Sequence, residues 1–173
     1  MQKNLYKIAV DTAALISLVH GDILDLVLSQ FKVIVSNVIM EELERVMKFK
    51  DPDGRAAKKI LSKKDELEIQ GVTKNELDKF LSARVDPGEA SCIMIAKKRD
   101  VKVLISDDFK AMAELEYYSK KYNLKVGPCS ALIKTLMLRK KLKKGEAIKI
   151  LERIGNRRNW IGRPIYQHGK ERL

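Results

Sequence analysis

Three short runs dense in Val and Ile recur along this chain: IAV at 8–10, VIV at 33–35 and VLI at 103–105. Each is followed by a stretch whose apolar residues fall at helical spacing. Apolar runs of this kind suit strands covered on both faces, and strands alternating with helices argue for an α/β fold with a parallel sheet. The pattern predicts strands over Leu5–Val10, Lys32–Ser36, Leu67–Val72, Val101–Ser106 and Lys125–Val126. It predicts helices over roughly 12–29, 37–49, 53–64, 73–82, 88–99, 107–122, 129–139 and 145–155. Thr73 or Asn75 is placed to cap the helix that Glu76 begins, and Pro87-Gly88 punctuates the start of the next. DPDG at 51–54 is a turn signal between two helices.

The 173 residues suffice for one domain with a substantial core. Hydrophobic residues make up 45% and charged residues 34%, the composition of a globular chain rather than a disordered one. No apolar run approaches a membrane span, and MQKNLYKIAVD meets an acid too soon for a signal peptide. Cys92 and Cys129 stand in no metal-type spacing, so a reducing, cytoplasmic setting is expected and a zinc site is not. The net charge of +12 is unevenly placed: 22 Lys/Arg face 20 Asp/Glu up to residue 133, and 13 face 3 beyond it. The expected organisation is therefore a body over 1–133 and a basic C-terminal helical extension over 134–173 on the same domain. Such asymmetry suits an anionic partner, nucleic acid or an acidic protein segment, although a solvated lysine-rich surface has the same composition.

Within this frame, four segments deliver carboxylates where carboxylates are costly. Asp11 ends the first predicted strand, and Asp107 and Asp108 follow the fourth. Ligands of open α/β sheets sit outside the carboxyl ends of the strands, where strand order reverses. A helix N-cap is the plainer role for either position. On the helical wheel of 37–49, Val38, Ile39, Leu43 and Val46 form one face. Glu42 falls on that face, whereas Glu41, Glu44 and Arg45 fall outside it. Glu89 aligns with Cys92, Ile93 and Ala96, away from Lys97 and Lys98. Its place in a first helical turn also suits a mere partner of the helix dipole. Gly88, Ala90 and Ser91 keep that helix start slim. Several carboxylates forced together are tolerable only when a cation joins them, and oxygen ligands suit Mg²⁺ or Mn²⁺.

Other uses of the strand ends are disfavoured. DTAALISL contains neither GxGxxG nor a Walker-type lysine motif, and no GxSxG elbow occurs. His20 and His168 sit in polar, loop-like sequence, so a nucleophilic triad is not expected.

VDTAAL, the helix bearing Glu42-Leu43, PGEASCIMIA and LISDD, in that order, make the chain resemble the PIN-domain family of VapC-like, metal-dependent ribonucleases. The resemblance covers roughly residues 5–127. It implies a three-layer α/β/α domain with a central parallel sheet of about five strands, and Mg²⁺- or Mn²⁺-dependent cleavage of RNA. It implies catalytic, metal-holding roles for Asp11, Glu42, Glu89 and Asp108, with Asp107 as an adjunct ligand and Thr12 and Ser106 positioning water or phosphate. Many members are toxins of toxin–antitoxin pairs and others process ribosomal RNA, so an antitoxin partner and a homodimer are also implied. The long segment at 50–82 and the basic tail depart from the smallest toxins. The alternative is a PIN-like module that binds RNA or protein without cutting, using the tail. There Arg157, Arg158, Trp160 and Arg163 make a basic–aromatic cluster suited to RNA, while a lone Trp near a terminus also serves to anchor that terminus to its own core.

Overall fold

The computed structural model describes residues 5–81, 85–108 and 110–173. Residues 82 and 109, the end of one expected helix and part of another, lie outside the described residues, as do 1–4. Five strands form one all-parallel sheet: β1 (Tyr6–Val10), β2 (Phe31–Ser36), β3 (Glu68–Gln70), β4 (Val103–Ile105) and β5 (Lys125–Gly127), in the order β3-β2-β1-β4-β5. The first three strands are laid in one direction from β1 and the last two in the other, so strand order reverses between β1 and β4. Register pairs Val10 with Ile105, and the Asp11 amide still donates to the Ile105 carbonyl at 3.0 Å. Asp11 and Ser106 thus emerge side by side at the reversal point.

Ten helices are described: α1 (Thr12–His20), α2 (Leu24–Gln30), α3 (Asn37–Val46), α4 (Pro52–Leu61), α5 (Lys74–Leu77), α6 (Pro87–Arg99), α7 (Met112–Tyr122), α8 (Cys129–Leu138), α9 (Lys144–Arg157) and α10 (Pro164–Arg172). Side chains alternate across the sheet as a pleat requires. Ala9 and Ile34 join Ile95 and Ala96 of α6 in one buried cluster. Ile8, Val10, Val33 and Val35 belong to the larger core with Leu15 and Leu18 of α1 and Leu132 and Leu136 of α8. Helices on both faces of the sheet make the three-layer α/β/α arrangement. Among the described residues no single helix is long and apolar enough to cross a membrane.

The structure corrects three expected helices and adds one. The single helix over 12–29 is two, bent by 116° after His20. Asp22 adopts a left-handed φ of 55°, and a Cβ on Gly21 would lie 3.0 Å from Ile150 and Ile154 of α9. The break therefore lets α9 close onto the core. The helix expected over 73–82 shrinks to α5, although Thr73 and Glu76 do form a capping box. The one expected to start at 107 starts at 112, because Asp107 and Asp108 are engaged elsewhere. Finally, α10 was not expected: one turn of its apolar residues, Ile165 and Tyr166, is buried, and Gly169 allows close approach to Leu151.

The tail is integral to the core. Ile150, Leu151 and Ile154 of α9 are buried, as are Ile165, Tyr166 and Trp160. Trp160 is 8% exposed, so the structure gives it the anchoring role and withholds the base-stacking one. Trp160→Ala is expected to destabilise the fold by about 3–5 kcal/mol, as large buried aromatics do, with Trp160→Phe milder. Thermal unfolding checks this; an unchanged melting temperature in Trp160→Ala contradicts the anchor.

Candidate active site

Asp11 leaves β1 in extended conformation and immediately caps α1, its Oδ1 accepting from the Ala14 amide at 2.7 Å. Only 4% of Asp11 is exposed. The fully buried Ser106 hydroxyl bonds the Asp11 carboxylate and accepts from the Asp108 amide at 3.2 Å. One serine thereby ties the end of β1 to the turn after β4.

Glu42 arrives from α3, whose start is docked to α6 by a chain of hydroxyls. Ser36 caps α3, its Oγ lies 2.6 Å from Ser91 Oγ, and Ser91 donates to the Gly88 carbonyl at 2.6 Å. This brings Glu42 against the start of α6. A Cβ on Gly88 would lie 3.0 and 3.1 Å from the two Glu42 carboxylate oxygens. Thr12 donates its hydroxyl to Glu42 Oε2 across the same gap. Glu89, 4% exposed, is held by a reciprocal capping box: its Oε2 accepts from the Asp86 amide at 2.8 Å, while Asp86 Oδ1 accepts from the Glu89 amide at 2.9 Å.

These side chains meet. Asp11, Thr12, Glu42, Glu89 and Asp108 line one cavity of about 190 Å³, together with Asp86, Gly88 and Arg158. All four acids expected to be catalytic are therefore brought together, with Thr12 beside them and Ser106 behind. The plainer roles hold simultaneously: Asp11 is an N-cap and Glu89 half of a capping box.

Asp107 is different. It is buried, its Oδ1 accepts from the Cys129 amide at 2.8 Å at the start of α8, and it is not among the residues lining the cavity. Through Oδ1 it ties the turn after β4 to the start of α8, while its Oδ2 is buried with no hydrogen-bond partner among the described residues. Two cavity residues were not expected beside these acids. Asp86 is the N-cap of α6, and the Asp-Pro-Gly-Glu run is a capping-box signature that would have found it. Arg158 was expected only as a loose RNA contact; no local signal places it beside the acids.

Arg158 follows α9, and its Nη1 donates to Asp53 Oδ2 at 2.9 Å while His20 Nε2 lies 2.7 Å from Asp53 Oδ1. His20 is the last residue of α1 with a buried side chain, not a loop residue. Of the remaining tail cations, Arg157 lies outside this cavity and Arg163 is exposed on the surface.

The electrostatics are those of crowded acids. Burial raises the Asp11 carboxyl to about 7, opposed by its Ser106 hydrogen bond and reinforced by Asp107 and Asp108. Burial lifts Glu89 to about 8, with Asp86 and Asp108 adding to the rise. Glu42 is raised too, chiefly by burial and against its Thr12 hydrogen bond. Beneath them Cys92 is fully buried, and burial together with these acids keeps its thiol protonated.

Among the described residues no three Asp, Glu, His or Cys side chains form a ready-made metal cage, because each acid is turned toward its own donor. The donor set nevertheless fits a hard divalent ion. It is all oxygen, and Mg²⁺ keeps several waters while using one or two carboxylates.

A family model described as a PIN domain (DUF3368) matches residues 7–173. The chain belongs to the PIN-domain family. The match extends through the basic tail, so in this PIN domain α9 and α10 lie within the family's own span. Among curated proteins no match was found. PIN domains are in general nucleases, and the chain carries that nuclease-type fold.

A pH dependence follows from the raised acids. With folded values of about 7 and about 8 against ordinary values of 3.8 and 4.5, Asp11 and Glu89 bind protons more tightly in the folded state. The stability they contribute is complete at about pH 4 and is lost as pH rises through 7 and 8. In chelator, the melting temperature is expected to fall from about pH 5 to about pH 8.5. Mn²⁺ at a hundred times its Kd should restore about 2.7 kcal/mol at the upper end. A melting temperature indifferent to both pH and Mn²⁺ contradicts this.

Proposed function

We propose that this PIN domain is a metal-dependent endoribonuclease that hydrolyses RNA phosphodiester bonds. The observation that carries the reading is the convergence of Asp11, Glu42, Glu89 and Asp108 on one cavity that also receives Arg158. A purely structural set of acids would be spread among separate ion pairs. Here the described pairs of Asp53, Glu68 and Glu76 with cations lie elsewhere, and the cavity acids have no salt bridge among the described residues.

Asp11, Glu42, Glu89 and Asp108 are the residues to hold Mg²⁺ or Mn²⁺, with Asp86 on the rim. When bound, such an ion supplies water activation and neutralises charge on the phosphoryl oxygens. The chain's own groups do the rest. Thr12 orients the Glu42 carboxylate through its hydroxyl. Ser106 fixes Asp11 relative to the Asp108 turn. Carboxylate oxygens of the cavity take up the proton of the attacking water, as general bases do. Arg158, which lines the cavity and whose Nε is buried without a hydrogen-bond partner among the described residues, is the cation to meet the scissile phosphate.

Asp11→Asn is expected to lower Mn²⁺-dependent cleavage of single-stranded RNA by about a hundredfold or more while leaving the fold intact. Retention of full metal-dependent activity removes Asp11 from the chemistry. Gly88→Ala presses a methyl group on the Glu42 carboxylate. It should cost about tenfold in kcat, comparable to disturbing a ligand's supporting shell. Unchanged kcat would detach Glu42 from the reaction.

A further inference from the structure

Beside the acidic cavity lies a second feature with the opposite charge. One recess of about 290 Å³ is lined by His20, Pro52, Arg55, Lys59 and Arg157, and a second of about 470 Å³ by His20, Arg153, Asn156 and Arg157. His20 and Arg157 are common to both, so the two recesses are one groove between α4 and α9. Among the described residues no carboxylate lines either part. Lys59 makes a long, 3.4 Å contact with the exposed Asp22. Arg55, Arg153 and Arg157 have no carboxylate partner among the described residues. Arg55 donates to the Lys50 carbonyl and Arg153 to the Gly21 carbonyl, contacts that brace the stems and leave guanidinium donors unused.

The arrangement is repetitive. Arg55 and Lys59 stand one turn apart on α4, and Arg153 and Arg157 one turn apart on α9. Each pair spans about 5–6 Å between Cβ atoms. Two facing rows of cations fit a polymer of successive anions better than one small anion. The groove also shares a wall with the acidic cavity. Asp53 holds His20 with one carboxylate oxygen and Arg158 with the other, and Arg157 of the groove adjoins Arg158 of the cavity.

We infer that the α4–α9 groove is the track for the RNA backbone, gripping phosphates next to the one placed at the acidic cavity. The inference rests on the hydrolytic reading for its substrate and adds the binding path. Guanidinium forks recognise phosphate oxygens in pairs. An acidic polypeptide lying in the groove would instead run its neighbouring carboxylates against the cavity's five acids.

The test uses a fluorescein-labelled 20-nucleotide single-stranded RNA of mixed sequence, in chelator so that the strand stays intact. Binding to the full chain is followed by anisotropy at several salt concentrations. The triple variant Arg55→Gln, Lys59→Gln, Arg157→Gln is expected to bind at least tenfold more weakly. Its slope of log affinity against log salt should shrink by about 2, since three phosphate contacts on a single strand contribute about 0.7 each. A control with Lys97→Gln, Lys120→Gln and Lys121→Gln, exposed on α6 and α7, should stay within about twofold of the parent, being equal in charge but away from the groove. Melting temperatures of both variants confirm folding. The inference is overturned if the groove variant matches the parent in affinity and slope, or if the control loses as much. It is overturned equally if the parent does not bind RNA, or if polyglutamate displaces the RNA as well as unlabelled RNA does. Failure of the hydrolytic reading shows separately, as absence of cleavage with Mn²⁺ by a chain whose binding still depends on the groove.

Discussion

The parallel pairing of β1 with β4 is the constraint on which the rest of this structure depends. Because strand order reverses there, the connections leave the sheet in opposite directions and a crevice opens beyond the strand ends. Register does the rest: pairing Val10 with Ile105 sets Asp11 beside Ser106 and turns Asp108 toward the same opening. A slip of one residue would send those side chains to the opposite face. The crevice is then finished by helix starts, since α1 and α6 begin at it and α3 passes beside it with Glu42 inward.

The price of that geometry is electrostatic. Asp11 and Glu89 are nearly wholly buried and held above the ordinary carboxylate range, Asp11 at about 7 and Glu89 at about 8. Each is tolerated by being given donors: the Ala14 amide and Ser106 hydroxyl for Asp11, the Asp86 amide for Glu89, the Thr12 hydroxyl for Glu42. The same donors that make the acids tolerable in a folding chain also hold them apart. The site is therefore an assembly of locally capped carboxylates facing one space. Hard-cation chemistry suits such a site because Mg²⁺ needs few protein ligands and brings its own water.

The tail changes how the molecule is understood. Its charge made it resemble a basic appendage, yet α9 and α10 complete the core through Ile150, Ile154, Trp160 and Tyr166 and deliver Arg158 to the acidic cavity. Positive charge from α9 meets positive charge from α4 across a groove that borders the acids. From the long segment after residue 50, α4 supplies one wall of that groove and Asp53 its link to Arg158.

Sequence by itself determined the strands and the acids. Val- and Ile-dense runs mark β1, β2 and β4 because a doubly covered strand tolerates no polar face. Glu42 and Glu89 stood out because a helical wheel places them among apolar neighbours. Asp86 was equally legible as a capping box and went unassigned. Tertiary structure alone decided what no local pattern encodes. It bent the first helix at Asp22, where α9 presses on Gly21. It separated Asp107 from Asp108, adjacent in sequence, by giving one to the Cys129 amide and the other to the cavity. It buried Trp160 and brought Arg158 across more than a hundred residues of chain to Asp53. Periodicity reports which face of an element is covered. Which distant side chain covers it is set by packing, a property of the whole chain.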